Sequence, residues 1–225
     1  MGTPQSVRYV GEELAKYGYS VYAPRLKGHG TDHYDLEKCK HEDWFASLEE
    51  GYLFLREKCT KLFVIGQSMG GTLTLQLANK YSDIDGIILI NSALSIPTLE
   101  YLKGQNDIRF IDEEEPDIKA KDVHEITYKK APVKSIQELQ ELMEVTPALL
   151  ASITQPVLAM KSRIDHVVPP ENTEFIINSI GSVDKKLITL LNSYHVATMD
   201  LDKDIIVKES HQFIYQQLAP KLKAI

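Results

Sequence analysis

One serine stands in a setting that could make it a nucleophile. Ser68 is the centre of a Gly-Gln-Ser-Met-Gly motif that follows an apolar run and precedes a helical pattern. A sharp turn from strand to helix exposes such a serine. Glycine on either side avoids collisions with neighbouring backbone, so we expect Gly66 and Gly70 both to be needed. The motif in this context predicts acyl transfer through Ser68, with the amide of Met69 as an oxyanion donor.

A serine nucleophile needs a base, and the base needs a carboxylate that orients it. In serine hydrolases with this strand–turn–helix motif, the acid follows a late strand and the histidine follows the last strand. Asp165 comes just after the apolar run 156–161, and His195 comes just after the run 187–191. We therefore predict Ser68 as nucleophile, His195 as base and Asp165 as the orienting acid.

The remaining histidines and nearby acids fit these roles less well. His166 stands beside the acid and does not follow the last strand, and His211 lies inside the last predicted helix. Asp200 and Asp202 are better explained as the start and the N-cap of that helix. The other histidines lie before the serine or in the middle of the chain: His29, His33, His41 and His124.

Short apolar segments alternate with helical patterns along most of the chain. The predicted strands are 19–23, 62–66, 86–91, 156–161 and 187–191. The predicted helices are 6–17, 43–58, 69–81, 171–180 and 203–218. This alternation is typical of βαβ units. The predicted fold class is therefore α/β, with a mostly parallel central sheet and helices on both faces.

The segment 97–151 breaks the alternation, since it contains a helical pattern at 136–145 but no convincing strand. We predict a core of residues 1–96 and 152–225, with 97–151 inserted as a helical cap. The acidic run 112–117 is predicted to be a solvated loop, because consecutive carboxylates on a loop cannot all converge on one metal ion.

The composition of the chain limits which binding partners and which cellular compartment are expected. The 225 residues carry a net charge of −7, which argues against a nucleic-acid partner. No apolar run is long enough to span a membrane. Cys39 and Cys59 form no CxxC motif and have no cluster of histidines beside them, so we expect neither a disulfide nor a zinc site. Two free thiols indicate a reducing compartment, and we predict a cytoplasmic protein.

Five motifs taken in order resemble the bacterial carboxylesterase and monoacylglycerol-lipase branch of the α/β-hydrolases. They are 25–30, 43–44, 66–71, 165–169 and 193–200. The resemblance covers essentially the whole chain. It implies hydrolysis of short- or medium-chain carboxylic esters or of monoacylglycerols, with no cofactor and no metal.

The resemblance also implies something that this sequence does not contain. Members of that branch carry an apolar strand with a His-Gly-Phe type motif ahead of the helix predicted at 6–17, in the middle of the sheet, and it supplies the second oxyanion donor. The printed sequence begins about where that motif would end. We expect either a shortened chain or a rearranged sheet. In the second case 19–23 would pair directly with 62–66, or another chain would fill the gap.

Three functions therefore stay open from the sequence. The first is a carboxylesterase whose predicted acyl pocket is lined from the cap. The second is an impaired homologue that keeps the triad without the second donor. The third is a thioesterase, amidase or peroxidase on the same scaffold. The expected partner is a small ester, with a homodimer only if a second copy covers the sheet edge. Apolar candidates for the pocket, which packing within the cap would explain equally well, are Ile96, Leu99, Leu139, Leu142 and Met143.

Overall fold

The structure is a computed structural model that describes residues 2–219. Its strands, in chain order, are β1 (Phe63–Gln67), β2 (Gly86–Ile90), β3 (Phe110–Asp112), β4 (Lys130–Pro132), β5 (Val157–Ser162) and β6 (Lys185–Leu190). Four of them form a parallel sheet in the order β1-β2-β5-β6. The other two pair antiparallel in a small separate sheet.

Within residues 2–219, seven α-helices accompany these strands. They are α1 (Gln5–Lys16), α2 (His33–Leu36), α3 (His41–Arg56), α4 (Met69–Lys80), α5 (Val133–Val145), α6 (Glu171–Ser179) and α7 (Lys203–Leu218). Short 3-10 helices lie at Pro97–Leu102, Thr146–Ser152 and Ala197–Met199. The predicted α/β class is confirmed, and the five predicted helices are all found with ends that differ by at most two residues.

The central strands are buried on both faces, which explains why they read as continuous apolar runs. All five residues of β2 are buried. Because successive side chains of a strand point to opposite faces, Ile87 and Leu89 pack on one side while Ile88 and Ile90 pack on the other. Helices α3, α4 and α6 cover the first face, and α1 and α7 cover the second. Because the four strands run parallel, their carboxyl ends all lie at one edge of the sheet.

The predicted strand at 19–23 is wrong. The structure has no strand there, and the side chains of Val21 and Tyr22 are about half-exposed, at 45% and 50%. Among the described residues, β1 forms its ladder with β2 alone, so the expected direct pairing of 19–23 with β1 is also wrong. A strand is defined by a hydrogen-bonded neighbour. This segment has the apolar composition of a strand but lacks the neighbour.

The expectation that 97–151 contains no strand is also wrong. β3 and β4 have only three residues each, and their pairing joins Phe110 to Pro132 and Asp112 to Lys130. Strands this short carry no readable period of alternation, because a period of two needs about four residues to be recognised. Helix α5 begins at Val133, three residues before the predicted start, directly after β4.

Candidate active site

Ser68 lies on the turn between β1 and α4 in a strained conformation. Its backbone has φ 54° and ψ −124°, a region that residues with a side chain rarely occupy. The amide N–H of Ser68 donates to the carbonyl of Ile90 at 2.9 Å, which ties the turn to the end of β2. The sheet therefore holds the strained serine above its carboxyl edge, as a nucleophile elbow requires.

The glycines around the serine act differently from the prediction. A Cβ on Gly66 would lie 2.2 Å from the carbonyl oxygen of Gly70, so glycine is required there, as predicted. A Cβ on Gly70 would meet nothing within 4 Å, so the predicted collision at Gly70 is wrong. The second crowded position is Gly71, whose Cβ would lie 2.0 Å from Ser92 Oγ. The turn is therefore closely packed at Gly66 and Gly71, beside β1 and the residues after β2, whereas Gly70 has free space around it.

Three predicted residues meet at this turn. His195 Nε2 lies 2.9 Å from Ser68 Oγ, and His195 Nδ1 lies 2.8 Å from Asp165 Oδ2. A carboxylate accepts hydrogen bonds, so the hydrogen is assigned to Nδ1 and the lone pair of Nε2 faces the serine. This is the arrangement in which an imidazole can take the proton of a hydroxyl group.

The carboxylate of Asp165 is fixed on its second oxygen as well. Oδ1 accepts the backbone N–H groups of Val167 at 2.9 Å and Val168 at 2.8 Å. The side chain is 1% exposed. With one oxygen held by the loop after β5, the other is directed at the histidine, and the imidazole is held in one orientation.

Asn91 is a residue of the site that the sequence reasoning missed. It follows β2 with φ 45°, and its Nδ2 donates to the carbonyl of His195 at 2.8 Å and to Ser162 Oγ at 3.0 Å. Its Oδ1 accepts the N–H of Ser162 at 2.7 Å. This buried side chain connects the end of β2 to β5 and to the loop after β6 that carries His195, called the histidine loop below. Its position after a strand was the one available signal, since asparagine tolerates positive φ better than most residues do.

Two aspartates after the histidine also hold its loop. Asp200 accepts the backbone N–H groups of Tyr194 and Lys119, each at 2.8 Å. Asp202 immediately precedes α7, as predicted, but its side chain caps no helical N–H and instead accepts the N–H of Asn192 at 2.7 Å. The predicted capping role of Asp202 is therefore wrong, because the carboxylate is turned back toward the histidine loop.

The acidic run is not uniformly solvated. Asp112, Glu114 and Glu115 are exposed, as predicted. Asp117 differs, since its side chain is 14% exposed and its carboxylate accepts hydrogen bonds from two loops at the site. Hydrogen bonds from backbone N–H groups to a carboxylate are charge-assisted and stronger than neutral ones, which explains why the last member of the run turns inward.

A cavity of about 1100 Å³ opens beside Ser68 and His195. Of the five apolar candidates, Ile96, Leu99 and Leu139 line it. Leu142 and Met143 instead pack in the core, against neighbours that include Trp44 and Val168 respectively. The cavity also extends between β1 and the segment 18–24. It therefore joins the nucleophile to the unpaired side of the sheet.

His29 is a buried histidine on the wall of this cavity. Burial lowers the pKa of His29 to about 4, so its ring is neutral at physiological pH. Nδ1 lies 3.3 Å from the carbonyl oxygen of Lys27, and the ring stands edge-on to Trp44. The nitrogen that faces the carbonyl must carry the hydrogen, so His29 holds its own loop.

One group of side chains has the composition of a metal site. Candidate ligand atoms of His41, Glu138 and Glu141 lie within 4.8 Å of one another. However, Glu138 Oε2 already accepts from His41, at 3.0 Å from the backbone N–H and 2.9 Å from Nδ1. These bonds connect α3 to α5, and we assign the pair to that helix contact.

Residues 5–202 match the family model described as serine aminopeptidase S33, Hydrolase_4. The chain belongs to this α/β-hydrolase family. It is 46% identical over 214 residues to a thermostable monoacylglycerol lipase of Bacillus sp. (strain H-257), covering 94% of this chain and 86% of the relative. It is 26% identical to a carboxylesterase of Bacillus subtilis (strain 168), covering 95% and 88%.

A solved structure reported for LipS and LipT, two metagenome-derived lipolytic enzymes, superposes with a TM-score of 0.93 at 42% identity. That alignment covers 96% of this chain and 89% of the other. A monoacylglycerol lipase of Paleococcus ferrophilus, 18% identical with 92% and 89% covered, shares the fold with a TM-score of 0.72. The predicted family and fold are confirmed, and this hydrolase has no helix within residues 2–219 that is long and apolar enough to cross a membrane.

Proposed function

We propose that this hydrolase cleaves carboxylic esters, with Ser68, His195 and Asp165 as its catalytic residues. The observation that carries the proposal is the continuous series of hydrogen bonds from Asp165 through His195 to Ser68, at 2.8 and 2.9 Å. The strained serine and the fully bonded carboxylate place both ends of this series on rigid elements. Catalysis by acyl transfer requires such a preorganised arrangement.

In the first half of the reaction, Nε2 of His195 takes the proton of the Ser68 hydroxyl as the serine attacks the ester carbonyl. Asp165 holds the imidazole in the correct tautomer and stabilises the imidazolium that forms. The tetrahedral intermediate carries a negative charge on the former carbonyl oxygen. The N–H of Met69 has no partner within α4, because it belongs to the first helical residue. We assign it as the first oxyanion donor.

In the second half, the imidazolium gives its proton to the leaving alcohol, and the serine ester remains. His195 then takes a proton from water, the hydroxide attacks the acyl carbon, and the acid leaves as Ser68 recovers its proton. In every one of these proton transfers, His195 is either the donor or the acceptor.

The substrate class follows from the cavity and from the relatives. We propose short- or medium-chain esters or monoacylglycerols, since two relatives are named as a monoacylglycerol lipase and a carboxylesterase. The cavity beside the serine is larger than most small-ligand pockets. We also propose that 97–151 acts as a cap, because it supplies Leu99 and Leu139 to the wall of that cavity.

Three other functions predict different kinetics. An impaired homologue with one oxyanion donor would bind esters but turn them over about 10²–10³ times more slowly than a complete site. An amidase or aminopeptidase, as the family description suggests, would cleave amides in preference to esters. A thioesterase would prefer the thioester of the same acyl group.

The decisive experiment compares the wild type with Ser68→Ala on p-nitrophenyl esters of two to twelve carbons, on a butyryl thioester and on a butyryl anilide. Ester turnover that Ser68→Ala abolishes is the expected result, with the thioester and anilide slower. Ser82→Ala, an exposed serine outside the cavity, is the matched control and should behave as wild type. Ester turnover unchanged in Ser68→Ala would contradict the proposal, and faster cleavage of the anilide would favour the peptidase reading.

We propose a cytoplasmic location from the two free cysteines. Burial raises the pKa of the Cys39 thiol, which makes it poorly reactive.

The proposed homodimer would cover the open side of β1, and light scattering of the purified chain tests it. A mass of one chain at micromolar concentration would contradict the dimer.

A further inference from the structure

Asp117 lies far from the triad in sequence but reaches two of its loops. Its Oδ2 accepts the backbone N–H of His195 and that of His166, each at 3.1 Å. Its Oδ1 lies 2.8 Å from Nδ1 of His166. Its own carbonyl accepts the N–H of Val196 at 3.1 Å. One residue between β3 and β4 thus contacts the loop after β5 and the loop after β6.

These contacts meet the catalytic histidine at its backbone. The carbonyl of His195 accepts from Asn91 at 2.8 Å, and its N–H donates to Asp117 at 3.1 Å. The peptide groups on both sides of this residue are therefore held, one by the end of β2 and the other by 97–151. A small displacement of this backbone would move the imidazole of His195 away from Ser68. A displacement of about 1 Å can lower the rate about 10²-fold.

The second loop that Asp117 holds carries the catalytic acid. His166 directly follows Asp165, so the hydrogen bond to the His166 N–H fixes the peptide next to the orienting carboxylate. A single carboxylate oxygen thereby bridges the loops of the acid and of the base. Bonds from backbone N–H groups to a carboxylate are stronger than neutral ones.

We propose that Asp117 is a positioning residue that sets the distance between the loop of the acid and the loop of the base. Because Asp117 belongs to 97–151, this distance depends on where that segment lies against the core. The proposal rests on the triad assigned above and adds a residue that does not touch the substrate's reacting atoms. Displacing 97–151 from the core would withdraw the bridging oxygen and loosen the alignment of His195 with Ser68.

The test measures kcat, KM and the thermal midpoint of Asp117→Ala, with p-nitrophenyl butyrate as substrate. We expect kcat to fall about 10- to 100-fold while KM changes less, because the Asp117 carboxylate, although it lies on the cavity wall, is bonded to the loops of the acid and the base. Labelling of Ser68 by a fluorophosphonate, which needs the base but no ester binding, should slow by a similar factor. Asp107→Ala, an exposed aspartate of the same segment, is the matched control and should match wild type.

Rescue by the conservative variant separates positioning from bulk stability. Asp117→Asn keeps an oxygen that both backbone N–H groups can share, and its amide can donate to His166 Nδ1. Its kcat should return to within about threefold of wild type, since the pair with the exposed ring contributes little. Asp117→Asn as slow as Asp117→Ala would overturn the proposal, as would unchanged kcat in a folded Asp117→Ala.

If Asp117→Ala does not fold, Asp117→Glu carries the test. It retains the charge but moves the oxygens outward by one methylene, so kcat should fall with little change in thermal midpoint. An unchanged kcat would overturn the proposal. Failure of the triad itself is distinguishable, because Ser68→Ala would then retain both turnover and labelling whatever the behaviour of the Asp117 variants.

Discussion

The two sides of β1 differ sharply in how they are bonded. On one side, β1 pairs with β2 over five residues in register, from Phe63 with Gly86 to Gln67 with Ile90. The turn at Ser68 continues that ladder by donating to Ile90. On the other side, the described residues offer β1 no strand, and a cavity separates it from 18–24.

The proposed triad is therefore built from the bonded side of β1. Its three members follow β1, β5 and β6, and Asn91 after β2 connects them. The other side contributes walls to the cavity but, among the described contacts, no hydrogen bond to the triad side chains. We therefore expect changes on the bonded side to alter stability and rate together, and changes on the open side to have small effects.

The largest expected effect is that of Gly66→Ala. Its Cβ would lie 2.2 Å from a backbone oxygen of Gly70. Strand β1 cannot move away without breaking its ladder with β2, and the turn that leads into α4 is bonded to Ile90. We expect a loss of about 4 kcal/mol or more in the free energy of unfolding, measured by urea denaturation. Gly70→Ala is the control, and it should be neutral or stabilising by up to about 1 kcal/mol, because its Cβ meets nothing. Equal losses in both variants would contradict the one-sided packing of the turn.

Asn91→Ala should follow, with a loss of about 3 kcal/mol. The change leaves the His195 carbonyl and the Ser162 N–H buried without their partner, and it puts alanine at φ 45°. The released histidine loop should also lower kcat about tenfold at similar KM. Asn178→Ala, an exposed asparagine on α6, serves as control in both assays. A stability loss without any fall in kcat would show that the loop is held well enough by its other bonds.

The pH dependence of stability tests the burial of His29 on the cavity wall. The pKa of this ring is about 4 in the folded chain and about 6.5 when unfolded, so the unfolded chain binds more protons between these values. Stability from this group is fully present above about pH 6.5 and is lost as the pH falls through about 4. We expect about 1.5 kcal/mol of loss between pH 6.5 and 5.

Urea midpoints of wild type and His29→Asn over this range measure the effect. The variant should show a shallower pH dependence by about that amount, because asparagine does not titrate. The same slope in both proteins would mean that water in the cavity solvates the ring, and the open side of β1 would then be wetter than the burial of His29 indicates.

The smallest expected effect is that of Val21→Ala on the open side. Its side chain is 45% exposed, and we expect a change within about 0.5 kcal/mol. Val64→Ala on β1 is the matched change at a buried position, 8% exposed, and should cost about 2 kcal/mol. Similar losses at the two valines would indicate that 19–23 is covered in solution, for example by a second copy of the chain.

The α/β class, the serine turn and the order of the proposed triad could all be predicted from the sequence. These features are local: apolar runs alternate with helical periods, and a strand–serine–helix turn needs a glycine at position 66 whatever surrounds it. The proposed acid and base could be predicted because each follows an apolar run, and parallel strands end at the same edge of a sheet.

The residues that hold the proposed triad in place, and the point where the sheet ends, could be seen only in the folded chain. Asn91 and His195 are 104 residues apart, and Asp117 and His195 are 78 apart, so neither contact leaves a periodic trace in the chain. An aspartate in an acidic run has the same composition whether it is solvated or turned inward. The segment 19–23 has the residues of a strand, yet strand formation depends on a hydrogen-bonded partner, and that partner is a property of the assembled sheet.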